Sequence, residues 1–95
     1  MRGIVWTQPS IADLSDIRNW LIVEAGRSIA VRTLEKIRRQ AEQLEAFAAL
    51  GPALTATRRK MLVQKTNYVI VYRIKAKSIG VLRVHHVRQN WRPPE

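Results

Sequence analysis

The sequence predicts an α+β domain, β-α-α-β-β-β, with a helical hairpin packed on one face of a small, mostly antiparallel sheet. Three observations lead there. Two stretches with apolar residues at helical spacing, separated at Gly26, occupy most of the first half. Three β-prone runs follow a firm stop at Gly51-Pro52. A length of 95 residues with 46% hydrophobic content suits one thin-cored domain spanning 1–95.

Each element has its own local reason. Gly3 to Trp6 is short and β-prone and reads as a first strand. Thr7 is placed to cap a helix, and Pro9 is tolerated in a first turn. Asp13 and Asp16 are expected near the positive end of that helix's dipole. Ile11, Leu14, Ile17 and Leu21 form its apolar stripe, with Trp20 beside it; Trp6 and Trp20 read as core. Gly26 ends the helix and Ser28 opens a second. Its stripe is Ala30, Leu34, Ile37, Ala41, Leu44 and Ala48, with Phe47 adding to it. Glu35 and Arg39 are an i,i+4 pair on the wet side. Residues 53–57 read as a loop. Strands are expected over about 58–64, 68–75 and 79–87, with turns at Lys65-Thr66-Asn67 and Ala76-Lys77-Ser78. In the middle strand Val69, Val71 and Arg73 face one way and Tyr68, Ile70 and Tyr72 the other. The tail from Gln89 carries Pro93 and Pro94 and cannot continue a ladder.

Charge is the second strong signal. The net charge is +10, and residues 51–95 hold ten Lys/Arg against one acidic residue, Glu95. Cations within strands line a sheet face, so the face away from the helices is expected to be open and cationic. Such a face suits a polyanion or an acidic protein. The chain has no cysteine, which excludes disulfides and thiolate metal sites. No apolar run approaches a membrane span, and the N-terminus does not read as a signal peptide. A soluble cytoplasmic protein with no membrane association is expected.

The chemistry-bearing residues are few. Arg83 and His85 fall on one face of the last strand, and Val84, His86 and Arg88 on the other. Two adjacent histidines without a third ligand do not make a zinc site; one is expected to pack and the other to be solvated. A histidine beside arginines can also handle phosphate or acidic side chains. Arg58-Arg59-Lys60 opens a strand, where charge protects an edge. Tyr68 and Tyr72 read as sheet residues. Trp91, beside Arg92 in the tail, reads either as folded back over the sheet or as a contact residue. Paired carboxylates, a Gly-rich phosphate loop and a nucleophile elbow are all absent from the sequence. No metal or cofactor is expected.

Taken in order, several segments resemble the RelE/ParE toxin superfamily of bacterial type II toxin–antitoxin systems. They are Trp6, Ala12, Asp13, Leu14 and Ile17, the hairpin ending at Gly51-Pro52, Asn67-Tyr68-Val69-Ile70-Val71-Tyr72-Arg73-Ile74, and Leu82 through Trp91. The resemblance covers nearly the whole chain and implies the same β-α-α-β-β-β fold. It also implies a cognate antitoxin that lays a C-terminal segment over the toxin, and operator DNA bound only through that antitoxin. The family divides by target. RelE-like members cut mRNA on the ribosome, and many carry Arg at the second position of a Tyr-Arg-Leu-Val-Tyr strand. Val69 stands there in this chain, and His85, Arg88 and Trp91 fit the ParE-like branch, which poisons DNA gyrase. The resemblance therefore implies a gyrase poison rather than an enzyme, with target contacts at Arg83, His85, His86, Arg88, Trp91 and Arg92. Antitoxin contacts are expected at Ile17, Trp20, Leu21, Arg58 and Arg59, with an antitoxin of ribbon-helix-helix type. The alternatives are a ribosome-dependent mRNA endonuclease using Arg58, Arg59, Arg83 and His86, and a basic RNA-binding protein. Scarce exposed aromatics weigh against the last.

Overall fold

The structure, a computed structural model, describes residues 3–88. Trp91 and Arg92 lie outside the described residues. The order is β1 (Gly3–Trp6), α1 (Gln8–Ala25), α2 (Arg27–Glu42), a 3-10 turn at Gln43–Glu45, β2 (Arg59–Leu62), β3 (Tyr68–Ile74) and β4 (Ser78–His86). The four strands form one sheet ordered β1-β4-β3-β2, in which β1 runs parallel to β4 and the other pairs are antiparallel. The expected α+β fold is borne out. Among the described residues no helix is long and apolar enough to cross a membrane.

The helix starts as its cap predicts: the Thr7 side chain accepts from the Ser10 amide at 3.3 Å. Its inward stripe is shifted from the expected one, however. Ser10 is fully buried and its hydroxyl donates to the Thr7 carbonyl at 2.7 Å, while Ile11 is exposed. Leu14, Ile17 and Leu21 do pack inward. Trp6 packs against the core, but Trp20 is 57% exposed, so its reading as core is corrected. Trp20 lies just outside the buried line through Ile17 and Leu21, and a helix side chain off that line faces water. Asp13 and Asp16 lie beyond the first turn, too far along to serve the dipole's positive end.

Gly26 alone joins the helices. Its φ of 93° is a conformation that favours glycine, and its N–H donates to the Leu21 and Ile22 carbonyls. The second helix therefore begins at Arg27, one residue before the expected Ser28. It buries Ala30, Ile37 and Ala41, then tightens into the 3-10 turn that buries Leu44. Phe47, past that turn, is 65% exposed and does not extend the stripe as expected. The Glu35–Arg39 pair forms at 3.2 Å, and Arg38 pairs with both Glu35 and Glu42.

Tyr68, Ile70 and Tyr72 enter the core beside Met61, Val63, Ile79, Val81 and Val84. The opposite face is not the open surface expected. Val69 and Val71 are buried there, at 6% and 2% exposure. In the ladder Val71 stands between Lys60 and Arg83, and Val69 between Leu62 and His85. Longer side chains thus flank both valines.

One irregularity governs β4. Val71 pairs with Arg83 but Tyr72 pairs with Val81, so Leu82 is the extra residue of a β-bulge. Before it, Ile79 and Val81 point to the core; after it, Val84 does. The alternation changes parity at Leu82, which sends His86 rather than His85 to the helix side.

Candidate functional site

Among the described residues, a cavity lies at each end of β3. The first, about 530 Å³, is lined by Asp16, Ile17, Trp20, Tyr68, His86 and Arg88. α1 brings Asp16, Ile17 and Trp20; β3 and β4 bring the directly paired Tyr68 and His86. Their rings meet edge to face, 5.5 Å apart at 87°. The His86 Nδ1 accepts from the Arg88 amide at 3.1 Å, which holds the chain as it leaves β4. Burial raises the Tyr68 phenol above its ordinary range. The walls are mainly apolar and aromatic, with Asp16 and Arg88 as charged members. Such a cavity accepts an apolar or aromatic side chain, with Arg88 available to a neighbouring carboxylate.

Beside it, Asp13 ties α1 to β4. Its carboxylate accepts from Arg83 Nε at 2.8 Å, Arg83 Nη2 at 2.9 Å and the Val84 amide at 2.9 Å. β1 has ended by then: its pairing with β4 stops at Trp6 and Val81, and the Thr7 hydroxyl donates to the Val81 carbonyl at 2.8 Å. Asp13 thus satisfies the strand edge that β1 leaves unpaired. The pair raises the Arg83 pKa. His85 is buried on the outer face. Burial first, then the neighbouring Arg83, lowers its pKa, against a smaller opposing effect of Asp13.

The second cavity, about 280 Å³, is lined by Ala53, Thr55, Ala56, Thr57, Arg58, Arg59, Arg73 and Ile74. Residues after Gly51 fold back along β2, where Ala53 bridges to Arg59 and the Lys60 amide donates to the Pro52 carbonyl at 3.1 Å. The Thr55 hydroxyl accepts from the Thr57 and Arg58 amides. Arg59 lies on the helix side of the sheet and donates from Nη1 to the Gly51 carbonyl at 2.8 Å. Tyr72 completes this anchor, accepting from the Gly51 amide and donating to the Ala48 carbonyl, both at 2.9 Å.

The site residues expected from sequence are therefore dispersed. Ile17, Trp20, His86 and Arg88 come together around the apolar cavity, whereas Leu21 is core. Arg58 and Arg59 meet at the far cavity, Arg83 is held by Asp13, and His86 lies on the opposite face from Arg83. The four nuclease candidates do not converge. Sequence reasoning missed Tyr68 and Asp16 in the first cavity and Arg73 and Thr57 in the second. The pairing of Tyr68 with His86 was legible only once the β3–β4 register was known.

Comparisons agree with this architecture. A family profile described as "ParE toxin of type II toxin-antitoxin system, parDE" matches residues 4–91. The chain is 30% identical over 86 residues to "Toxin RelE2" of Caulobacter vibrioides, covering 90% of this chain and 96% of the relative. A solved structure titled "Chromosomal ParDE TA system from P. aeruginosa" superposes with a TM-score of 0.82 at 26% identity, covering 90% of this chain and 96% of the other. With a profile match over nearly the whole sequence and the same two-helix, four-strand fold, the chain belongs to the ParE toxin family of type II toxin–antitoxin systems.

Proposed function

We propose that this toxin acts by poisoning DNA gyrase and is held inactive by a cognate antitoxin. The observation that carries the gyrase reading is Val69. It is buried at the middle of the outer sheet face, between Leu62 and His85, at the strand position where many RelE-like members carry arginine. Without that cation, and with Arg58, Arg59, Arg83 and His86 dispersed, a phosphate-cleaving constellation lacks its centre. A protein–protein poison instead needs arginine and aromatic contacts, which His86, Arg88, Trp91 and Arg92 supply at the chain's end.

The antitoxin reading rests on the apolar cavity and on Trp20, Val23 and Val31, large apolar side chains left exposed on the helical hairpin. An antitoxin segment would seat an apolar residue between Trp20 and Tyr68 and offer a carboxylate to Arg88. Operator DNA is then recognised by its sequence only through the antitoxin, which we take to be of ribbon-helix-helix type. The complex acts in the cytoplasm.

The test runs gyrase supercoiling and DNA-cleavage assays beside ribosome-bound mRNA cleavage with one purified toxin. Gyrase inhibition with intact mRNA is expected. Codon-specific mRNA cuts with untouched gyrase would overturn the reading. Truncation after Arg88, which removes Trp91 and Arg92 and keeps the arginine of the cavity, is expected to abolish growth inhibition while antitoxin binding persists.

A further inference from the structure

The cavity at the β2 end plays no part in that reading, yet three arginines line it. Arg58, Arg59 and Arg73 share it, and among the described residues none that lines it is acidic. We propose that it is a phosphate-binding subsite for a nucleic-acid backbone, with Arg58 and Arg73 as the clamp and Arg59 as a fixed charge behind them.

The first support is the state of the two guanidiniums. Among the described residues, neither Arg58 nor Arg73 makes a side-chain hydrogen bond or ion pair. Arg38, Arg39 and Arg83, by contrast, each hold a carboxylate. The difference follows from where the acids are: apart from Glu95, all lie within residues 1–50. Asp13 reaches β4, and Glu35 and Glu42 are engaged along α2. Three mutually repelling cations in one recess favour an anion, and a guanidinium fork matches two oxygens of a phosphate.

The second support is the wall. The Ala53–Arg59 bridge, the Thr55 hydroxyl on two amides and the Arg59 bond to Gly51 fix the recess independently of any occupant. Preorganisation of this kind reduces the ordering cost of binding. Thr57 also lines the recess.

The third is what the cavity lacks. Among the described residues its apolar lining is Ala53, Ala56 and Ile74, so these offer no aromatic hook for an acidic protein segment of the kind the Trp20 cavity offers. Without an aromatic platform it has no means to stack bases either, so recognition is of backbone phosphate and independent of sequence.

The experiment measures fluorescence anisotropy of a labelled short duplex DNA, and in a second arm a single-stranded RNA, against purified toxin over a range of salt. Arg58→Ala with Arg73→Ala is expected to weaken binding and to lower the log–log salt slope by about two. Arg32→Ala with Lys36→Ala removes the same charge from an exposed face of α2 and is expected to leave the slope unchanged. A loss confined to the first double variant supports the site, and the arm that shows it names the nucleic acid. Equal losses in both variants, or none in the first, would overturn it. So would a polyglutamate peptide that binds the cavity more tightly than either nucleic acid. Arginine Nε–H NMR on the unsubstituted toxin, titrated with pyrophosphate, reads the same site without any folding risk. Shifts at Arg58 and Arg73 are expected, and their absence sinks the proposal.

Discussion

At the start of β3 the surface is walled by Trp20, Ile17 and Tyr68; at its end it is walled by Arg58, Arg59 and Arg73. Both recesses sit on the same sheet, and arginines occur at both. What separates them is access to carboxylates. α1 runs along β4 and brings Asp13 to Arg83 and Asp16 to the apolar recess. The edge of β2 is flanked instead by the segment after Gly51, which carries no acidic residue. The apolar end is thus neutralised and suited to burying a partner's side chain, while the other end keeps its charge. A net charge of +10 says nothing of this division, because the division depends on which helix lies beside which strand.

The sharpest way to break the comparison is at the anchor of the cationic end. A Cβ on Gly51 would stand 2.1 Å from the Lys60 carbonyl oxygen and 3.0 Å from the Tyr72 hydroxyl, and the first contact is to backbone. Gly51→Ala is expected to cost roughly 3 kcal/mol in urea unfolding, the scale of overpacking in a closed core. It should disturb the Arg59 recess while leaving the Tyr68–His86 contact in place, as NMR of the two aromatic rings would report.

Trp20→Ala tests the other end through binding rather than folding. With 57% of Trp20 exposed, the fold should change by less than about 0.5 kcal/mol. If the antitoxin anchors there, calorimetric titration should show a loss of about 2 kcal/mol in affinity. Unchanged affinity would remove the apolar recess from the interface.

Asp13→Asn addresses the device that makes the two ends unequal. It removes the charge from the bidentate Arg83 contact and swaps one acceptor oxygen for a donor facing Arg83 or the Val84 amide. Arg83 is about half exposed, so solvent screens much of the loss. A destabilisation of about 1 kcal/mol is expected in the same unfolding measurement.

The smallest expected effect is a pH dependence from His85. Burial and Arg83 hold its folded pKa below the ordinary value of 6.5, so the unfolded chain takes up the proton first as pH falls. Stability from this group is fully present above 6.5 and is lost as pH drops from there through the folded value. His85→Asn should flatten that part of the melting-temperature profile. A wild-type profile that rises on acidification through the same range would contradict the assignment.

The order of elements, the Thr7 cap, the break at Gly26, the stop at Gly51-Pro52 and the two faces of β3 are all legible along the chain. All of these rest on local periodicity and local backbone chemistry, which a chain carries residue by residue. The sequence also placed Ile17, Trp20, His86 and Arg88 among the functional candidates, without showing that they meet. Their meeting follows from how the strands and α1 pack. The bulge at Leu82 changes the parity of β4, so His86 reaches Tyr68 while His85 is buried on the outer face. The same holds for Arg73 joining Arg58 across the fold of the Gly51 loop, and for Val69 and Val71 being enclosed on a face expected to be open. These outcomes depend on register and on which elements lie side by side, and no single segment encodes either, because both are set by pairing between residues distant in the chain.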